Sequence, residues 1–448
     1  MGKIMKPFSL LKKLPKLPRK YGNKINISEL DKEIFSLSKS SFLNFAMTPI
    51  IGAVDTYWIS RLNKGSMLAG QGNADRLFNS FFSIASFAPS VITPLISRYH
   101  AFNDKDNMID TISTSVFLVG GVGSLITLLL IFNTKYLIET IIPKSSPSYI
   151  YACQYFRLRA LGFMFALLNS LAFATMRGQK DLKTPMRINM YSQLSNAVLD
   201  PILMCFMGIR GVALGTILSE FLGFFLFYSK LYKDRLIDFT SIKCNQILKI
   251  IKQGCGVQVR SMSITFVHLL AARKIQRIDV TDTLATAHVL NIQLFELGFM
   301  ISYSYGLISS ILVPRYKNPI QVQRRIYNWG FFVSGLVGLI HIFSSRVLLP
   351  CFTSDPNVLL YTKALIPIGA MLQSITTFTC INEGISQGHQ MYRVLGSGSF
   401  VSFTTFFLYI RKAKTIEDIW VGLVIASAIR SLINLHYINL KNKKIKDN

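Results

Sequence analysis

Acid is scarce in this chain. Its 448 residues carry 49 Lys and Arg against 22 Asp and Glu, and only 16% of positions are charged. Soluble domains carry roughly 25%, so the deficit argues against a surface bathed in water. Cysteine is scarce too: the six, at 153, 205, 244, 255, 351 and 380, show no paired spacing. That excludes a disulfide framework or a zinc site and leaves them as small apolar residues. The six histidines, at 100, 268, 288, 341, 389 and 436, are scattered, with no two at metal-ligand spacing. No metal and no cofactor are expected. HAFND at 100–104 falls one residue short of the acyltransferase pattern, so neither catalytic residues nor an enzyme are expected. Arg and Ser occur once each in the tail KPFSLLKKLPKLPRKYGNK, too rarely for an organellar transit peptide. A basic tail lying beside anionic lipid fits better. Lys6 also breaks the myristoylation signal that Met1-Gly2 would begin.

Apolar residues are abundant: half of all positions, in runs such as TSVFLVGGVGSLITLLLIF, ALGFMFALLNSLAFATM and WGFFVSGLVGLIHIF. Each matches the ~20 residues that cross ~30 Å of hydrocarbon as a helix. The runs predict an all-α integral membrane protein with twelve transmembrane helices, at 34–58, 68–97, 109–133, 150–176, 185–207, 211–232, 247–272, 283–314, 326–350, 357–386, 391–412 and 416–438. If these alternate in direction, about 30 basic residues gather on one side and about 12 on the other. The positive-inside rule then puts both termini in the cytoplasm, and the charge becomes a topology signal instead of a nucleic-acid footprint. The one long hydrophilic interruption, around 229–254, divides the spans six and six. The turns MRGQKDLKTPM and ISQGHQMYRVL, after the fourth and tenth spans, echo each other weakly. Two six-helix lobes related by a pseudo-two-fold axis are a common transporter plan. The expected domains are a basic tail at 1–33, a lobe at 34–232, an interlobe loop at 233–246, a lobe at 247–438 and a basic tail at 439–448.

Charges within spans are costly and point to a wet cavity or a partner. They are Asp55, Asp75, Arg76, Asp200 and Glu220 in the first half, and Arg260, Glu296, Lys363, Glu383 and Arg430 in the second. In RINMYSQLSNAVLDP, Asn189, Gln193, Asn196 and Asp200 recur in steps of four, three and four, which places them on one helical face. Helix–helix adhesion accounts for the amides but poorly for the acid. A proton or cation site facing a wet cavity accounts for both. A membrane-embedded enzyme is the third reading.

The block MRGQKDLKTPMRINMYSQLSNAVLDPILMCFMGIRGVALGTILSE, 176–220, resembles the multidrug and toxic compound extrusion (MATE) family, most closely its DinF-like branch. Arg177, Gly178, Asp181, Pro185, Asn196, Asp200, Pro201, Gly211 and Thr216 carry the likeness. PIIGAVDTYWISRL with Pro49 and Asp55, SFAPSVITPLISR with Pro94 and Arg98, and LATAHVLNIQLF with His288 and Gln293 extend it over about 34–438. The resemblance implies an antiporter with two six-helix lobes in a V, exporting an organic solute as protons, or as a second choice sodium ions, enter. It implies ion coupling at Asp55, Asn196, Asp200 and Thr216, with Ser219 as the rival of Thr216. It also suggests cavity-lining roles for Asn189, Gln193, Arg260, His288, Gln293 and Glu296. Ser40 and Tyr303 depart from the pattern, where relatives often carry a proline and an acid. Two carboxylates sharing a low-dielectric cavity raise each other's affinity for a proton, as the scheme requires. Pro49 supplies a point at which the first span can flex. The expected partners are a small-molecule solute, drug-like cation or organic anion, and the lipid bilayer, with no nucleic acid and a monomeric state. The alternative on the same plan is a flippase for lipid-linked sugars, which would need several arginines in its cavity to hold a pyrophosphate.

Overall fold

The structure, a computed structural model, describes residues 29–60, 65–142, 144–238, 240, 242–278, 283–316, 318–352 and 355–447. Fifteen α-helices and short 3₁₀ turns account for nearly all of them, and no strand occurs among the described residues. In the first half these are α1 (Glu29–Ser60), α2 (Gly65–Ala85), α3 (Ala88–Ala101), α4 (Lys105–Phe132), the short α5 (Thr134–Glu139), α6 (Ser148–Arg159), α7 (Phe163–Gly178), α8 (Lys183–Met207) and α9 (Ile209–Lys233). In the second they are α10 (Cys244–Ile278), α11 (Thr283–Leu312), α12 (Pro319–Phe352), α13 (Pro356–Gly388), α14 (Tyr392–Ile410) and α15 (Ile416–Asp447).

Each expected span coincides with one helix or a bonded pair. Helices α2 and α3 form one span bent by 43°. The break falls just before Pro89, whose nitrogen donates nothing and so leaves the Ala85 carbonyl without its usual helical partner. Among the described residues, seven spans are long and apolar enough to cross a membrane on composition alone, and the bent pair makes eight. Of the four that fall short, α8 carries buried polar residues and α15 ends in a charged stretch. The chain is an integral, multi-pass membrane protein.

The two halves repeat the same pairings. In the first, α8 packs on α9, α4 on α7, α3 on α7, α1 on α8, and α6 and α7 on α9; in the second, α14 packs on α15, α12 on α13, α11 on α13, α10 on α14, and α13 on α15. These are equivalent contacts of two six-span lobes, as pseudo-two-fold symmetry requires. The lobes meet through α1 against α11 and α10 against α3, which are again symmetry mates. Apolar side chains point outward where lipid would lie: Phe117, Leu125 and Phe132 on α4, and Phe331, Leu339 and Val347 on α12, are exposed. Polar ones point inward, most fully on α13, where Gln373, Thr377, Asn382, Glu383 and Ser386 are buried.

Three boundaries differ from expectation. Helix α1 begins at Glu29, inside the expected 1–33 tail, because Asp31 accepts bonds from Arg325 Nη2 (2.5 Å) and Trp329 Nε1 (3.0 Å) and ties that turn to the second lobe. The expected basic tail at 439–448 is helical to Asp447, and Asn442 donates to Gln323 on α12 at 2.7 Å. Helix α10 begins at Cys244, inside the expected 233–246 loop, and the segment before it docks on the start of α4: Ser113 Oγ accepts from the Asp238 amide at 2.8 Å, and Lys243 pairs with Asp110.

One face, carrying the start of α1 and the end of α15, is sealed across the lobes. Ser97 Oγ donates to the Ile311 carbonyl at 2.5 Å. Arg315 reaches the Gly178 carbonyl at 3.1 Å and His100 Nδ1 at 2.9 Å. Glu33 accepts from Tyr316 (2.7 Å) and pairs with Lys180.

Candidate functional site

Helix α8 buries Pro185, Ile188, Ser192, Asn196, Asp200 and Met204 along one face. Two of the four expected stripe residues therefore lie inside: Asp200 is 0% exposed and Asn196 2%, and Asn196 Nδ2 donates to Asp200 Oδ1 at 2.8 Å. Pro201 follows inside the helix and leaves the carbonyl one turn back without its usual donor. Asn189 and Gln193 sit beside this face, half-buried. At 100° per residue, the buried row runs through Ser192, and Asn189 and Gln193 fall to its edge.

Helix α9 approaches Asp200 so closely that a Cβ at Gly215 would run into Asp200 Oδ1. This accounts for the glycine spacing of GVALG, since a Cβ at Gly211 would meet the Leu203 carbonyl of the same helix pair. Gly208 makes the turn between them at φ +58°, a conformation that favours glycine. Thr216 lies next to this contact, with its hydroxyl donating to the Val212 carbonyl at 3.0 Å. Its rival Ser219 is buried and bonds the Thr216 carbonyl at 2.8 Å, while Ser192 Oγ bonds the Ser219 carbonyl at 2.6 Å. Pro49 and Asp55 belong to α1, which packs on α8. Their side chains lie outside the described residues.

A second polar constellation occupies the first lobe. Arg159 donates to both Glu220 oxygens, at 2.9 and 2.7 Å, and its guanidinium lies 3.8 Å from the Phe78 ring centre. Tyr155 donates to Asp75 at 2.9 Å, and Arg76 is exposed. Glu220 is thus held in the lobe interior.

The second lobe holds a cavity of about 710 Å³, floored by α3 and α7 of the first lobe. Of the six expected lining residues, Arg260, His288, Gln293 and Glu296 face it. Arg260 Nη1 donates to Glu383 Oε2 at 2.6 Å, and Arg430 Nε stands 2.9 Å from Glu383 Oε1, so one carboxylate bridges α10, α13 and α15. His288 is buried with its ring edge-on to Trp420, centroids 5.7 Å apart. Gln293 and Glu296 are exposed to the cleft. His268 and Arg177 also line it, neither expected there. Lys363 is exposed and elsewhere. The only sequence signal for Glu383 and Arg430 was their being charged inside spans; their convergence with Arg260 crosses 123 residues and is tertiary.

Two repeated six-helix lobes, a sealed face and a solute-sized cavity define a two-lobed membrane transporter. The MatE family model matches residues 41–202. Protein DETOXIFICATION 44, chloroplastic, of Arabidopsis thaliana is 26% identical over 90% of this chain and 81% of its own length. A probable multidrug resistance protein NorM of Thermotoga maritima is 22% identical over 83% of this chain and 82% of its own. Among solved structures, the Vibrio cholerae MATE transporter VcmN in the bent form superposes with a TM-score of 0.82 at 14% identity, covering 93% of this chain and 98% of that one. The chain is thus similar to MATE transporters in sequence and in fold, and these likenesses support a membrane transporter of small molecules.

Proposed function

We propose that the protein is a proton-coupled antiporter of the DinF-like kind, exporting an organic solute held in the second-lobe cavity while protons enter through the first lobe. The reading is carried by Asp200: a carboxyl wholly out of water, bonded by Asn196 at 2.8 Å, in a niche that only a glycine at 215 leaves open. An ionised carboxylate only accepts hydrogen bonds, whereas a protonated one also donates. Gain of a proton therefore turns over the Asn196 contact and shifts α8 against α1, with Asp55 on α1 as the second carboxylate of the site. Solute and proton then favour different states of the same helices, which is what coupling requires. Sodium is the second choice of coupling ion. By the positive-inside rule the sealed, basic face is cytoplasmic, so both termini lie there and the cavity belongs to an outward-directed state of a monomer.

The flippase reading draws support from the three arginines that line the cavity, Arg177, Arg260 and Arg430. Volume favours the antiporter: about 710 Å³ suits a drug-sized solute, for which sites span ~300–1,000 Å³, and not a saccharide on a long lipid. Proteoliposomes with an imposed pH gradient test the proposal, using ethidium and labelled citrate as cationic and anionic solutes. Wild type should exchange solute in proportion to the gradient, and Asp200→Asn should bind solute yet ignore it. Gradient dependence unchanged in Asp200→Asn would overturn the scheme.

A further inference from the structure

The basic face carries a second cavity, of about 550 Å³, between the start of α1 and the start of α12. Leu30 of α1 closes one side, and Tyr316, Asn318, Arg324, Arg325 and Asn328 line the rest: two arginines and no acid. The buried and half-buried acids of α1 beside it are engaged. Asp31 accepts from Arg325 at 2.5 Å and from Trp329 at 3.0 Å, while Glu33 accepts from Tyr316 and pairs with Lys180. Arg325 gives Asp31 one nitrogen and keeps donors over, since a guanidinium carries five N–H bonds. Arg324 is exposed and joins no ion pair among the described residues. The sequence ahead of α1, KPFSLLKKLPKLPRKYGNK, is itself basic and offers no counter-charge.

From this cavity the surface of α12 continues as one stripe. Arg324, Asn328, Phe331, Gly335 and Leu339 are all exposed and recur in steps of four, three, four and four, so they share a face. A cation and an amide stand at its start, and apolar side chains follow from Phe331 on. Gly335 leaves a gap in the row, where a Cβ would meet nothing within 4 Å. From Asn328 to Leu339 the helix rises ~16 Å, about half of the ~30 Å of bilayer hydrocarbon. Trp329, of a residue type enriched where membrane meets water, stands at the polar end. We propose that this cavity takes the headgroup of an anionic glycerophospholipid, with its phosphate on Arg324 and Arg325, an amide bond from Asn328, and an acyl chain along Phe331, Gly335 and Leu339. Basic pockets between helices at the membrane boundary recognise such headgroups, and guanidinium forks match phosphate oxygens in pairs. The headgroup then touches both lobes, at Leu30 on α1 and along α12. A soluble phosphate would answer the arginines but not the apolar length of the stripe.

The test is quenching of Trp329 fluorescence in the full-length protein reconstituted in bilayers, by phosphatidylglycerol or phosphatidylcholine brominated in the upper acyl chain. A Trp58→Phe background leaves only Trp329 and Trp420, and Trp420 is wholly buried. Brominated phosphatidylglycerol should associate about fivefold or more in preference to brominated phosphatidylcholine, the effect of one basic residue beside an anionic headgroup. Arg324→Gln should bring the preference to within about twofold of none. Its unfolding midpoint should hold, because Arg324 is exposed and supports no ion pair among the described residues. Lys249→Gln removes an exposed basic residue near the start of α10 and should leave the preference as it is. Millimolar glycerol 3-phosphate should not relieve the quenching.

Equal quenching by the two lipids overturns the proposal, as does a preference unchanged in Arg324→Gln. A preference lost as fully in Lys249→Gln marks diffuse attraction to the basic face and overturns the site. A lowered midpoint in Arg324→Gln along with the lost preference marks a structural arginine and overturns its assignment. Relief by glycerol 3-phosphate marks a soluble phosphate as the occupant and overturns the lipid.

Discussion

Arg159→Met isolates one buried interaction whose cost can be worked from geometry. Arg159 and Glu220 face each other through two bonds of 2.9 and 2.7 Å, with side chains only 10% and 19% exposed. Removing one partner of such a pair strands the other charge and costs about 3–5 kcal/mol, whereas replacing both by neutral residues of similar size is close to neutral. Arg159→Met and Glu220→Gln should therefore each lose about 3–5 kcal/mol. The double variant should lose far less than their sum, a coupling of at least about 3 kcal/mol. Some of the Arg159 loss belongs to its packing on Phe78 at 3.8 Å, so the double variant should retain a deficit of about 1 kcal/mol. Unfolding in mixed micelles titrated with denaturing detergent, read by tryptophan fluorescence, gives these free energies. Additive losses, or a single-variant loss below about 0.5 kcal/mol, would show that the pair is solvated and that charges in the lobe interior do not govern stability.

Further expectations concern coupling, gating and pH. Gly215→Ala places a Cβ against Asp200 Oδ1, so exchange should lose its dependence on the pH gradient while equilibrium solute binding stays within about twofold of wild type. The double change Asp31→Asn and Glu33→Gln removes the ion pairs to Arg325 and Lys180 and weakens the bonds from Trp329 and Tyr316. At about 1 kcal/mol for each partly exposed ion pair, it should raise severalfold the labelling of a cysteine at Ser97 by an impermeant maleimide from the basic face. His389 Nε2 accepts from Gln323 Nε2 at 2.7 Å, and burial with the nearby Lys441 charge pushes its pKa down to about 4. The docked imidazole stays neutral while a released one takes a proton below its ordinary 6.5, so docking weakens as pH falls through about 6.5 and levels off near 4. Amide exchange across 436–447 should accelerate from pH 7 to pH 5, after correction for intrinsic rates, and the acceleration should vanish in His389→Gln.

Twelve spans were legible because lipid imposes length and apolarity on any helix that faces it, as α4 and α12 do along their exposed Phe and Leu rows. Even α8, too polar to pass as a span by composition, was legible from its flanks and from the Asn196–Asp200 step, a contact between neighbours four residues apart. The phase of the stripe was less so. Steps of three and four fit two adjacent rows on a helix, and only packing on α9 decides between Gln193 and Ser192 for the interior. Convergence of Arg260, Glu383 and Arg430 depends on how α10, α13 and α15 cross, which no local spacing encodes. Arg177 stood in the sequence as part of a turn motif, and its place in the cavity follows from the lobes closing against each other.

Infrared difference spectra recorded across an acid–base titration address the coupling carboxyl itself. A protonated carboxyl in a dry site gives a carbonyl stretch distinct from that of an ionised one, and the band should rise as pH falls in wild type and be lost or sharply reduced in Asp200→Asn. The same band at full intensity in Asp200→Asn would contradict the account, because the proton would then reside elsewhere.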